Sequence, residues 1–317
     1  MNIQLNPFYK LVMGFTLLIL LLSLWTPVWL QQIELFFFIA CMVLTGIPHG
    51  ATDHLVYAHV QKTHGHSISY VRFLGFYLVG ILMYGVLWYF FPTLSLVVFL
   101  FISIYHFGQS QLLYLKASEK NLWKIGLYLL WGSTVLAGII LFHWESSYQI
   151  LSTLIPTQFL PVIPLQPWIS KLPWVLGGIS LCSLLWAYKV NWMSKKQVIF
   201  EGVNLLALMC LFYVSTLLVS FAVYFGLWHA LASIHSELKE MQLPQGKEVG
   251  TLGTFFKMAW PLTLISLLGL LGLLVSIRVF NAYISPYLIF FIAISTLTLP
   301  HMYFMDKLYQ LERQKFS

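Results

Sequence analysis

The chain alternates long apolar stretches with short polar ones. Ten stretches are each about as long as a membrane span of roughly 20 residues: 8–30, 33–58, 70–91, 93–115, 122–143, 172–190, 198–216, 218–237, 255–277 and 284–308. All are far too long for barrel strands. A backbone in lipid must also satisfy its own polar groups, so each stretch reads as a helix. Residues 198–237 form one apolar run; as a single helix it would be about 60 Å long, twice a hydrocarbon core. The reading therefore splits it near Ser215 and Thr216.

Composition agrees with this pattern. The 317 residues are 59% hydrophobic and 9% charged, against about 45–50% and about 25% in a soluble domain. The expected fold is all-α, an integral polytopic membrane bundle of about ten helices forming one domain over residues 1–317. Of the 17 Lys and Arg, only Lys171 and Arg278 fall on the side opposite the N-terminus when ten spans are threaded. The positive-inside rule then places both termini in the cytoplasm, as for a multi-pass protein of the cell's inner membrane. The net charge of +7 is scattered over short loops with no basic run, which argues against nucleic acid and for a lipid bilayer as partner. The three cysteines, Cys41, Cys182 and Cys210, sit inside apolar runs and make neither a disulfide framework nor a zinc finger. No small-x-small cleavage site follows the first stretch, so it reads as a retained span. The long connection 144–171, rich in proline and aromatics, reads as an interfacial segment or a lid.

Polar residues within the apolar stretches are few and placed alike. His49 (GIPHGATDH), His106 (SIYHFGQSQ), His229 (YFGLWHALASIH) and His301 (TLTLPHMYFMD) each come late in an even-numbered span. Even-numbered spans all run outside to inside, so these imidazoles share a depth in the cytoplasmic half of the bilayer. A single intramembrane histidine often only bonds a neighbouring helix. Four at one depth point to a bundle interior and to function. Neutral imidazoles suit iron, copper or zinc, and the scarcity of carboxylates argues against magnesium or calcium. Asp53, four residues after His49, is placed either to orient an imidazole or to pair at the interface. His54 reads as a ligand, a support or an interfacial residue. His59, His64 and His66 fall in a loop, and His143 ends an odd span. His235 follows His229 by six residues, about 240° around an α-helix. Pro48, Gly50, Gly108, Gly226 and Pro300 are placed to open the helices around a cavity. The flanking aromatics Tyr105, Phe107, Tyr224, Phe225, Trp228, Tyr303 and Phe304 suit a pocket for a flat conjugated molecule. Pro48-His49 with Asp53 is faintly echoed by Pro300-His301 with Asp306.

The motifs PHGATDH, YHFGQSQ, LWH and TLPHM, in this order and span placement, resemble the bacteriorhodopsin-related Brp/Blh family of bacterial β-carotene dioxygenases, from about residue 40 to 305. The resemblance implies a polytopic membrane enzyme that uses Fe(II) and O₂ to cut β-carotene at its central 15,15′ double bond, giving two retinal molecules. It implies His49, His106 and His229 as metal ligands. The family carries a further histidine four residues after the third ligand, where this chain has Ser233. The fourth ligand is then His235 through a helix shift, or a residue elsewhere, or iron is held by three; depth favours His301. Two other readings compete. A membrane di-iron desaturase or hydroxylase needs more histidines in tight boxes, commonly with adjacent pairs, and no His-His pair occurs. A proton-coupled transporter could use intramembrane His and Asp as a relay, but intramembrane charge is scarce and no internal repeat is evident.

Overall fold

The computed structural model describes residues 7–118, 121–155, 166–240, 252–279 and 286–314. Every element among them is helical: α1 (Pro7–Trp25), α2 (Pro27–Cys41), α3 (Ile47–Ala51), α4 (Asp53–Thr63), α5 (Tyr70–Phe90), α6 (Pro92–Gln111), α7 (Leu122–Leu141), α8 (Trp144–Leu154), α9 (Gln166–Ile169), α10 (Leu172–Lys189), α11 (Lys195–Val214), α12 (Leu217–Phe221), α13 (Ala232–Glu240), α14 (Leu252–Val279) and α15 (Pro286–Gln314). Two π-helical segments, Met42–Gly46 and Ala222–Leu231, join α2 to α3 and α12 to α13. Among the described residues, nine helical stretches are long and apolar enough to cross a membrane. The sixth expected span, 172–190, is helical as α10, which ends in Tyr188 and Lys189 and is not among those nine. The chain is thus an all-α polytopic bundle. Large apolar side chains such as Phe36, Leu82, Met83, Leu206 and Leu268 are exposed on the helices. That surface suits hydrocarbon rather than water.

The helix breaks have local causes. The apolar run 198–237 divides at Ser215 and Thr216, both in extended conformation, and the Thr216 hydroxyl caps α12 by accepting from the Val219 backbone N–H. The first two spans divide earlier than expected, at Thr26, not near residue 31. Pro27 disfavours helical geometry at the residue before it and is itself well placed in a first helical turn. Ser194 and Gln197 form a reciprocal capping box at the start of α11. The central part of the proline-rich connection, residues 156–165, lies outside the described residues; before it, α8 occupies Trp144–Leu154.

The helices gather into two compact units. The first comprises Met1–Met42, Ser103–Gln149 and Gln158–Ala232. In it α1 packs on α11 and α2, and α7 on α10 and α11. Buried bonds tie these helices together: Trp228 Nε1 donates to Thr16 Oγ1 at 2.8 Å, and the Thr134 and Ser180 hydroxyls lie 2.7 Å apart. Glu201 on α11 accepts from Gln111 Nε2 at 2.9 Å and the Tyr114 hydroxyl at 2.6 Å. Helices α6 and α7 approach closely at two glycines. A Cβ on Gly108 would run into the Tyr128 backbone, and one on Gly132 into the Ile104 backbone. Gly108 therefore lets two helices touch backbone to backbone instead of loosening its own helix, since α6 runs unbroken to Gln111.

The second unit comprises Val43–Ile102, Ile150–Thr157 and Ser233–Ser317. Here α15 packs along α5 and α4, and α3 packs on α14 and α15. Trp88 Nε1 donates to Ser295 Oγ at 2.8 Å, and Tyr57, Phe73, Phe76, Tyr77, Tyr303 and Phe304 form a continuous aromatic cluster. α15 continues through Pro300, in line with the expected span 284–308, and the Pro300 ring lies 3.5 Å from where a Gly80 Cβ would stand.

Candidate metal centre

The four singled-out imidazoles are buried, with exposures of 2% for His49, 1% for His106, 3% for His229 and 7% for His301. Each compact unit brings two of them together. In the first, the His106 and His229 ring centroids are 4.9 Å apart and the planes cross at 79°. His106 rides on α6 two residues before Gly108, so the close α6–α7 crossing sets its height and rotation. His229 lies inside the π-helical segment Ala222–Leu231, as does Gly226. Such widened turns are uncommon and recur at functional sites. Phe107 and Phe225 flank His229 with centroids at 4.9 Å and 5.5 Å, and Tyr224 lies 5.2 Å from Phe107.

In the second unit His49 and His301 have centroids 4.6 Å apart, crossing at 82°, and each offers a ring nitrogen within 4.8 Å of the other's. The π-helical turn Met42–Gly46 directly precedes the Ile47-Pro48-His49 step. Both imidazoles meet carboxylates. Asp53 Oδ1 lies 2.8 Å from His301 Nδ1, and Asp53 Oδ2 accepts from the Tyr77 hydroxyl at 2.9 Å. Glu237 Oε1 lies 3.0 Å from His49 Nδ1. Asp53 thus reaches the imidazole of a distant helix rather than that of His49, four residues before it. The cause is local: Thr52, with φ −89° and ψ 0°, separates α3 from α4 and breaks the regular helical repeat. Glu237 went unnoticed in the sequence because it follows the apolar run, where acidic residues ordinarily face water; its 1% exposure marks it out.

A carboxylate at Nδ1 holds the proton on that nitrogen and leaves the Nε2 lone pair as donor, the arrangement found around metal-binding histidines. The remaining candidates sit differently. His54 Nδ1 bonds the Ala51 carbonyl at 2.9 Å, His64 Nδ1 bonds the Val60 carbonyl, and His143 Nε2 lies 3.1 Å from Ser220 Oγ. His235 is half-buried on α13. Asp306 pairs with Gln310 at 2.7 Å and Arg313 at 3.9 Å.

The family described as beta-carotene 15,15'-dioxygenase matches residues 40–309, which takes in all four buried histidines, Asp53 and Glu237. The chain belongs to that family. A relative from an uncultured marine bacterium (66A03), described as beta-carotene 15,15'-dioxygenase, is 26% identical over 274 residues, 86% of this chain and 93% of the relative. No solved structure matches the chain. Within this β-carotene 15,15'-dioxygenase family member, Ser233 is buried at 5% exposure on α13, at the position where the sequence resemblance called for a histidine.

Proposed function

We propose that the chain is an iron-dependent β-carotene 15,15'-dioxygenase of the inner membrane, spanning it many times, with both termini cytoplasmic and residues 1–317 serving one catalytic function. His49, His106, His229 and His301 hold one Fe(II), and O₂ adds across the central double bond of β-carotene so that each carbon ends in one retinal aldehyde. The observation that carries this reading is the pairing of buried, carboxylate-backed imidazoles within the stretch that matches the family.

The residues fit such an ion. Four neutral imidazoles supply nitrogen donors of the kind iron accepts. Asp53 and Glu237 are each about 1% exposed; two buried carboxylates are costly unless countercharge is near, and a divalent cation held by their imidazole partners neutralises them. When bound, ferrous iron supplies the redox chemistry that makes O₂ reactive toward a double bond. The chain's residues do the rest. Asp53 keeps the His301 proton on Nδ1 and fixes the ring. The aromatic side chains around His229 hold a flat polyene by its faces, and the stacked pair Phe225 and Phe221, 5.2 Å apart, continues that wall toward Phe38. Positioning a rigid rod against a fixed centre selects the bond that reacts and lowers the barrier through orientation alone. Because β-carotene dissolves in hydrocarbon, a site among membrane helices receives it from the bilayer.

The test is expression in a bacterium that accumulates β-carotene, followed by pigment extraction. Loss of carotene with retinal as product supports the proposal. Unchanged carotene in cells holding folded, iron-loaded protein refutes it.

A further inference from the structure

Glu237 belongs to none of the histidine motifs, yet it closes a ring of contacts around His49. Its Oε1 stands 3.0 Å from His49 Nδ1, and its Oε2 lies 3.1 Å from Thr52 Oγ1. The single Thr52 proton has two acceptors in range, the His49 carbonyl oxygen at 2.7 Å and Glu237 Oε2, and is shared between them. One carboxylate therefore stands beside residue 49 at its side chain, in an ion-pair contact, and reaches its backbone through the shared Thr52 hydroxyl. Thr52 is fully buried and Glu237 nearly so, which keeps water out of both contacts. The same unit holds a twin arrangement, in which Asp53 spans the His301 Nδ1 and the Tyr77 hydroxyl. In each, a carboxylate faces one imidazole Nδ1 and one hydroxyl.

We infer that Glu237 is a positioning residue for the metal centre: it fixes the tautomer and ring orientation of His49 so that Nε2 faces the ion, with Thr52 as its anchor. A neutral imidazole has one N–H and one lone pair. An acceptor at Nδ1 claims the N–H and leaves the lone pair on the other nitrogen. The helix break after Ala51 falls at this contact, because Thr52 leaves the regular repeat and its hydroxyl lies between the His49 carbonyl and Glu237. The inference rests on the metal reading proposed above.

The test uses full-length protein in detergent. Fe(II) binding is measured without oxygen against a competing chelator, and Co(II) is substituted for its visible spectrum. Removing such an outer partner lowers metal affinity by about 10–100-fold. Glu237→Ala is expected to lose affinity by that factor and to shift the Co(II) bands at saturating metal. Glu237→Gln, which keeps an acceptor oxygen within reach of Nδ1 while removing the charge, is expected to retain most of the affinity. Thr52→Val should fall between wild type and Glu237→Ala, and it carries the test if Glu237→Ala does not fold. Iron-loaded wild type beside equally loaded Glu237→Ala, or beside Thr52→Val where Glu237→Ala does not fold, overturns the inference and leaves the metal reading standing. Equal losses in the Ala and Gln variants overturn it too, since the charge at residue 237 and not an acceptor oxygen beside Nδ1 would then matter. Wild-type protein that binds no iron sinks the metal reading and this inference together.

Discussion

Replacing Gly108 by alanine tests how the α6–α7 crossing holds His106. In an open helical position, Gly→Ala stabilises a protein by about 0.4–1 kcal/mol, chiefly by restricting the unfolded chain. At Gly108 the new methyl meets the backbone of Tyr128, which no side-chain rotation can move aside. Overpacking of this kind costs about 1–3 kcal/mol, enough to reverse the sign of the helical gain. Gly126 on α7 is the control, because a Cβ there meets nothing within 4 Å. Unfolding by heat or SDS in detergent should rank Gly126→Ala at or above wild type and Gly108→Ala below it. The two should stand about 1–3 kcal/mol apart. Gly108→Ala should also lower retinal output, since His106 lies two residues away. A Gly108→Ala variant as stable as Gly126→Ala would refute the account of this crossing.

Asp53→Ala removes the acceptor of both His301 Nδ1 and the Tyr77 hydroxyl; stripping a buried group of its partner costs about 1–3 kcal/mol, and iron affinity should fall about 10–100-fold. Tyr77→Phe should lower iron affinity less, and equal losses in a chelator competition would contradict the assigned roles. His301→Ala should empty the iron site while His235→Ala keeps it, with partial recovery when Ser233→His is added to His301→Ala; iron per chain by metal analysis reads all three. Phe225→Ala should leave iron content unchanged and raise KM for β-carotene about tenfold or more. Chromatography of its products should also show apocarotenals other than retinal, and an unaltered profile would remove Phe225 from the substrate wall.

Much of the architecture was legible because membrane helices obey simple demands. Length and hydropathy placed the helical segments, and loop charge justified the division at Ser215 and Thr216 that the extended backbone there displays. The division at Thr26 was misplaced because one Pro27 inside an apolar run outweighs hydropathy. The four deep histidines stood out because buried imidazoles are rare in lipid-crossing runs. Of their carboxylate partners, Asp53 stood out and Glu237 did not. Asp53 lies four residues after His49, the spacing of helical neighbours, yet Thr52 turns it toward His301. Glu237 is identified by burial alone. The π-helical turns before His49 and around His229 have no composition that distinguishes them from ordinary helix. Gly108 looked like a breaker from sequence, because only the neighbouring helix reveals that its missing side chain is the point.

The central claim is a single ferrous ion held by histidines of this chain and needed for cutting β-carotene. Protein purified in detergent, stripped with a chelator and titrated with Fe(II) under argon, then given O₂ and β-carotene, measures it most directly. The account predicts that retinal formation rises with iron to one ion per chain, with two retinal molecules per β-carotene, and that stripped protein forms none. Full activity without iron, or activity that requires two ions per chain, would contradict it.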